Sequence, residues 1–343
     1  MSHDARENGL LPESGDVARG VRVYCSSMGI LVDGKWHTDM VGATSKTGAF
    51  ERKPVTFRER IEPKSEANQA ARFVAEAGRY HLYVSLACPW AHRTLVLRAL
   101  KGLEEVVSVS VVDPLMLDQG WVFSDGPGCV PDSLFGSSAL HEIYTRAMPD
   151  YSGRVTVPVL WDKRHGTIVN NESSEIVRMF NTAFDALATK ELPDLYPEAL
   201  RAEIDALNAR IYDTLNNGVY RSGFATTQSA YETAVTELFA TLDMLEARLE
   251  KGPYLFGERM TEADWRLFPT LVRFDAVYHG HFKCNLRKLV EYPNLWAYTK
   301  RLYHVPGVAP TVSIDHIKRH YYGSHLHLNP KGIVPVGPAL TFD

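Results

Sequence analysis

The stretch Tyr80-His-Leu-Tyr-Val-Ser-Leu-Ala-Cys88-Pro-Trp-Ala-His-Arg-Thr-Leu-Val-Leu-Arg-Ala-Leu-Lys-Gly-Leu103 decides the fold. Tyr80 to Leu86 is apolar and β-prone, which predicts a short strand. From Pro89 to Leu103 the spacing changes to that of a helix. Ala91, Leu95 and Ala99 share one face, with Val96, Leu100 and Leu103 beside them. Pro89 suits the first helical position, because its missing N–H would be unpaired there anyway. Cys88 thus stands where strand passes into helix, facing free N–H groups and the positive end of the dipole, a setting that favours a thiolate. A lone cysteine is more often a buried structural residue, but strand, turn, proline and helix together point to a reactive one. Position 91 is Ala, where a dithiol enzyme carries its second cysteine. The site is therefore monothiol, and an external thiol must resolve any mixed disulfide.

Downstream, Val106 to Val112 reads as a buried strand. Pro114 to Asp150 is a long Gly-, Pro- and Ser-rich interruption around Gly120-Trp-Val-Phe123, of a length that is functional or disordered inside a compact domain. Val155 to Trp161 resumes strand character, broken by Pro158, and Thr167 to Val169 is a short apolar piece. Ser173 to Phe184 is helical, with Ile176, Val177, Phe180 and Phe184 on one face. This order gives a thioredoxin-like α/β N-terminal domain whose last two strands form a hairpin.

Beyond Pro197 strand signals disappear. Glu198 to Asn217, Thr226 to Leu249, Thr261 to Tyr278 and Leu295 to His304 carry helical periodicity, giving an all-α C-terminal domain. Thr261 with Asp264 reads as a capping box. The expected boundaries are an N-terminal extension over 1–70, the thioredoxin-like domain over 71–190, a helical domain over 198–328 and a tail over 329–343.

The whole composition bounds the rest. At 343 residues two domains are expected. A formal net charge of −4 gives no reason for a nucleic-acid or anionic-membrane partner. No apolar run reaches the roughly 18 residues of a membrane span, and residues 1–20 lack the apolar core of a secretory signal. Four cysteines in so long a chain suit a reducing cytoplasm better than a disulfide framework.

Two further motifs bear on binding. Val157-Pro158 opens a strand; a cis bond there would turn the Val157 amide and carbonyl outward, toward an extended peptide. Ser173 can cap the helix that follows, and that helix entrance suits a carboxylate while Glu172 suits an ammonium. Together they match the zwitterionic γ-glutamyl end of glutathione, although an ordinary N-cap has the same sequence. His279, His281 and Cys284, and His316 with His320, are spaced like metal ligands. Neither set has a second cysteine pair or a close acid, so no metal is expected.

Cys88-Pro-Trp-Ala-His-Arg93, Gly120-Trp-Val-Phe123, Asn170-Asn-Glu-Ser173, Asn216-Asn-Gly-Val-Tyr220, Arg273-Phe-Asp275, His281-Phe-Lys-Cys-Asn285 and His316-Ile-Lys-Arg-His-Tyr-Tyr322 occur in this order. Together they closely resemble the glutathionyl-hydroquinone reductases, the xi class of glutathione transferases, related to the omega class. The resemblance runs from about Met28 to Leu328 and implies the glutathione transferase architecture. It leaves residues 1–27 outside, as a dispensable leader.

The resemblance also implies roles. Cys88 is the nucleophile, and Trp121, Arg154, Val155, Thr156, Val157, Glu172 and Ser173 form the glutathione site. Tyr220 matches the proton donor and acceptor, while Tyr278 and Tyr321 match tyrosines that help lower the cysteine's pKa; Tyr322 competes for the role given to Tyr321. Glutathione is the co-substrate, glutathionyl-hydroquinones are the substrates, and the enzyme is a homodimer without a metal. The rival readings are an omega-like transferase that conjugates glutathione or exchanges thiols on other substrates, and a non-catalytic glutathione-fold binding module.

Overall fold

The structure, a computed structural model, describes residues 29–38, 47–52, 54–68 and 70–343. The expectation that residues 2–27 are dispensable lies outside the described residues. Strands β1 (Ile30–Val32) and β2 (Lys35–His37) come first, then β3 (Tyr80–Val84), α1 (Pro89–Leu100), β4 (Val107–Val111) and α2 (Leu140–Ala147). Strands β5 (Gly153–Arg154), β6 (Val159–Asp162) and β7 (Thr167–Asn170) and helix α3 (Ser173–Thr182) complete the first half. The second half holds α4 (Arg201–Ile211), α5 (Gly218–Gly223), α6 (Gln228–Arg248), α7 (Glu262–Arg273), the short turn α8 (His279–His281), α9 (Pro293–Tyr303) and α10 (Ile314–Ser324).

The main sheet runs β4-β3-β6-β7, with β3 parallel to β4 and antiparallel to β6, and β6 antiparallel to β7. The parallel pair needs a crossover, which α1 supplies. The β6–β7 pair is the expected hairpin. Every residue of β3 is buried, as suits a central strand. Helix α1 packs on α3 within its own half and on α7 of the helical half, so the nucleophile's helix is the joint between the two.

Four features depart from the sequence expectation. Residues 30–37, assigned above to an extension, form a hairpin through Asp33 and Gly34, both at positive φ, the backbone of a two-residue I′ turn. β1 then pairs with β5, tying this segment to the first half through the residue before Val155. Second, the interruption over 114–150 contains α2. Its Leu140, Ile143 and Tyr144 are buried on one face, and the Glu142 carboxylate accepts from the Ala139 amide at 3.0 Å as its cap. Gly- and Ser-rich flanks hide this two-turn pattern. Third, the helices expected over 198–217 and 261–278 each end in a π-helical turn, Tyr212–Asn216 and Phe274–Tyr278. Such turns are rare and concentrate at functional sites. Fourth, helix α3 is capped by Glu172, not Ser173. The Glu172 carboxylate accepts from the Ser174 amide at 3.0 Å, which puts Ser173 one residue inside the helix and buried.

The Thr261–Asp264 capping box is present: Asp264 Oδ2 accepts from the Thr261 amide at 2.7 Å. The tail returns to the helical half, where Phe342 is buried against Trp296 and Tyr303. No described helix is long and apolar enough to cross a membrane.

Candidate active site

Cys88 is the N-cap of α1, with extended backbone and Pro89 after it. Its residue is half-buried, and its thiol donates to the Val157 carbonyl at 3.6 Å. That carbonyl belongs to the Val157–Pro158 bond, which is cis. Burial pushes the Cys88 thiol up, outweighing the amides of Ala91 and Trp90 and the positive charges of Arg273 and Arg52, all of which pull it down. The free N–H groups at the helix entrance act in the expected direction, and desolvation by the surrounding side chains opposes them.

The three expected tyrosines converge. Tyr321 Oη lies 2.5 Å from Tyr220 Oη and 2.9 Å from Tyr278 Oη. Tyr278 and Tyr321 are fully buried, while Tyr220, at 9% exposed, is the most accessible of the three. Burial raises all three phenols, Tyr278 and Tyr321 well above their ordinary value. For Tyr220 the next influence is the charge of Cys88, and hydrogen bonds from Tyr321 and Tyr278 pull it back down. The hydroxyls of Tyr278 and Tyr321 are engaged within this triad, and the sulfur's own hydrogen bond goes to Val157. The structure thus brings these two tyrosines to Tyr220 and not to the thiol. Tyr322 Oη is not part of the triad; its ring packs on His281.

The expected glutathione residues fall on elements around Cys88. Arg154 ends β5, and Val155 to Val157 lead into β6. Burial, then the nearby Arg52 charge, pulls the Arg154 guanidinium down. Glu172 and Ser173 open α3. The Arg93 guanidinium on α1 is buried and pulled down to about 9 by desolvation and then by Arg266, while Glu172, Tyr212 and Cys88 oppose that fall. Trp121 is buried and stacks on His320 of α10, with ring centroids 4.8 Å apart. His320 Nδ1 in turn bonds the Pro114 carbonyl at 2.9 Å. Among the described residues no group of three or more His, Cys, Asp or Glu is placed to hold a metal ion.

Three participants escaped the sequence reading. Tyr144 on α2 donates to the Thr156 carbonyl at 2.8 Å and accepts from the Thr156 amide at 3.2 Å and from Asn171 Nδ2 at 3.0 Å. It fixes the stretch before the cis bond, and its spacing with Leu140 and Ile143 was a legible signal. The Arg52 guanidinium lies over the rings of Trp90 (4.9 Å) and Tyr220 (5.2 Å) and bonds Asn217 Oδ1 at 3.1 Å. Nothing in its local sequence marks it. The third, Arg273, lies within a quoted motif but carried no role.

A thiol at a helix entrance, a cis-proline strand facing it and a helical half closing over both define the glutathione transferase class. Residues 87–183 match the family model of the glutathione S-transferase N-terminal domain, and residues 228–301 that of its C-terminal domain. The chain is 56% identical to the glutathionyl-hydroquinone reductase PcpF of Sphingobium chlorophenolicum, over 91% of this chain and 97% of that protein. It is 53% identical to the glutathionyl-hydroquinone reductase YqjG of Escherichia coli K12, over 92% and 97%. Among solved structures, a xi-class transferase from Natrialba magadii superposes with a TM-score of 0.87 at 52% identity, covering 92% of this chain and 96% of that one. Glutathione-bound YqjG superposes at 0.83 and 50% identity, covering 92% and 97%. The chain belongs to the glutathione S-transferase family, and within it to the xi class with the glutathionyl-hydroquinone reductases.

Proposed function

We propose that the protein reduces glutathionyl-hydroquinones with a second glutathione, giving the free hydroquinone and glutathione disulfide. The observation that carries this reading is the single thiol of Cys88 opposite the Val157 carbonyl, with Tyr220 the triad phenol that its charge raises. The Cys88 thiolate attacks the sulfur that joins glutathione to the ring, and the carbon–sulfur bond breaks as the disulfide to Cys88 forms. The ring carbon leaves with the bonding pair and takes a proton from Tyr220, so the ring is reduced. A second glutathione thiolate then attacks the mixed disulfide, releasing glutathione disulfide and the Cys88 thiolate.

Glutathione is held in this reading by Trp121, Arg154, Val155, Thr156, Val157, Glu172 and Ser173. The Glu172 carboxylate faces the γ-glutamyl ammonium, the α3 entrance at Ser173 faces its carboxylate, and the Val157 backbone pairs with the cysteinyl unit. The aromatic fragment lies against Tyr220, between the two halves, with Tyr278 and Tyr321 behind it. The domains act as a thioredoxin-like unit over 71–190, extended by the 30–37 hairpin, and a helical unit over 198–328, on which the 329–343 tail packs. The working form is a homodimer in the cytoplasm. The free thiols of Cys88, Cys129 and Cys284 suit a reducing compartment, and light scattering should return twice the 38.5 kDa chain mass.

The test supplies a glutathionyl-hydroquinone and glutathione and quantifies both products. Equal amounts of hydroquinone and glutathione disulfide are expected, with chlorodinitrobenzene conjugation far slower. Conjugation faster than reduction would favour the conjugating transferase, and absence of turnover would favour the binding module.

A further inference from the structure

Arg273, the last residue of α7, is fully buried. Its guanidinium donates from Nε to the Ala87 carbonyl at 2.9 Å and from Nη2 to the Leu86 carbonyl at 3.0 Å. These are the two peptide units that immediately precede Cys88. Nη1 donates to the Pro269 carbonyl of its own helix at 2.8 Å and to His92 Nδ1 at 3.0 Å. A guanidinium only donates, so His92 Nδ1 is the acceptor and its proton sits on Nε2. Nε2 passes a hydrogen bond to Thr311 Oγ1 at 2.8 Å, and Thr311 donates to the Val308 carbonyl at 2.6 Å. Burial and then the Arg273 charge push the His92 imidazole well below its ordinary value, so it stays neutral. Every acceptor of Arg273 is thus neutral, and no described carboxylate lies at ion-pair distance.

An isolated buried cation is costly and is retained where a nearby anion forms. The anions the proposed reaction calls for are the Cys88 thiolate and a phenolate of the tyrosine triad. The Arg273 charge pulls Cys88, Tyr278 and Tyr321 down alike. We propose that Arg273 is a positioning residue for the nucleophile: it clamps the Leu86–Ala87 turn to the helical half and sets an uncompensated positive charge behind Cys88. The inference rests on Cys88 being the nucleophile, which loss of the alkylation signal in Cys88→Ser checks separately. The other groups that face Cys88 are Arg52 from the segment before β3, Arg93 on α1 and Tyr220 on α5.

The test is the pH dependence of Cys88 alkylation by iodoacetamide in Arg273→Gln and Arg273→Lys. Arg273→Gln should raise the apparent pKa by about one unit, a tenfold fall in thiolate at fixed pH. Arg273→Lys keeps the charge but not the fork, so it should restore most of that shift while kcat stays at least about tenfold down. A folded Gln variant that titrates like the parent overturns the proposal, as does a Lys variant with parental kcat. Should neither variant fold, the parent itself decides. Ions in solution do not screen a buried cation, so the thiol's pKa should move by less than about 0.2 units between 20 and 500 mM salt. A larger movement assigns the charge to exposed Arg52 and refutes the role of Arg273.

Discussion

Replacing Tyr321 by Phe removes a hydroxyl that lies 2.5 Å from that of Tyr220 and 2.9 Å from that of Tyr278. While Tyr220 holds its proton, the bond is one between neutral groups. Once Tyr220 has given that proton to the departing ring, its oxygen is a buried anion, and the Tyr321 hydroxyl donates to a charge. A hydrogen bond to a charged group is worth about 1.5–3 kcal/mol. At about 1.4 kcal/mol per factor of ten, its loss should slow the chemical step about 10- to 150-fold. Binding of glutathione should not change, since none of its proposed contacts is touched. Rapid-quench single turnover with a glutathionyl-hydroquinone measures the step directly, with hydroquinone resolved by chromatography. The iodoacetamide profile of Cys88 is the control and should match the parent, because the Tyr321 hydroxyl is spent within the triad. A chemical step within twofold of the parent refutes the triad as a proton-handling unit. A shifted thiol profile would instead return Tyr321 to the thiol-acidifying role that the family resemblance implies.

Cys88→Ser should lose reduction by at least about a thousandfold while retaining glutathione, as read by calorimetry; residual turnover dependent on Cys129 or Cys284 would overturn the assignment. Tyr144→Phe should raise the KM for glutathione about fivefold and leave kcat unchanged, since about 1 kcal/mol of hydrogen bonding to the Thr156 backbone is lost. An unchanged KM would mean that α2 does not shape the binding edge. Burial depresses His81, His281 and His320 to about 4, below the roughly 6.5 of an unfolded chain. Their contribution is present above pH 6.5 and is lost as pH falls towards 4, because the unfolded state binds the protons. Near pH 5 these three alone should take up about three protons on unfolding, and His92 and His325, pushed well below their ordinary value, add to them, a loss of at least about 4 kcal/mol per pH unit. Urea midpoints that stay flat from pH 6.5 to 4.5 would contradict this.

Local rules determine much of this molecule without reference to any tertiary contact. Apolar period and a proline at the first helical position set β3, Cys88 and α1, because those preferences act over a few neighbouring residues. The Thr261–Asp264 cap and the β6–β7 hairpin are equally local. The tyrosines entered through ordered motifs and not through their own surroundings, since a phenol on a helix has no local mark of function. Only the tertiary structure decided that Tyr220, Tyr278 and Tyr321 share one hydrogen-bonded cluster, across 101 and 43 residues of chain. It alone seated Arg273 behind Cys88, 187 residues from the Leu86 carbonyl it holds, and paired β1 with β5. It also set burial against the helix at the thiol, because the dipole of α1 is written in the local sequence whereas desolvation depends on everything packed around it. Hydrogen-bond donors, charge and burial add at a point in space, and the chain order does not say which distant groups will meet there.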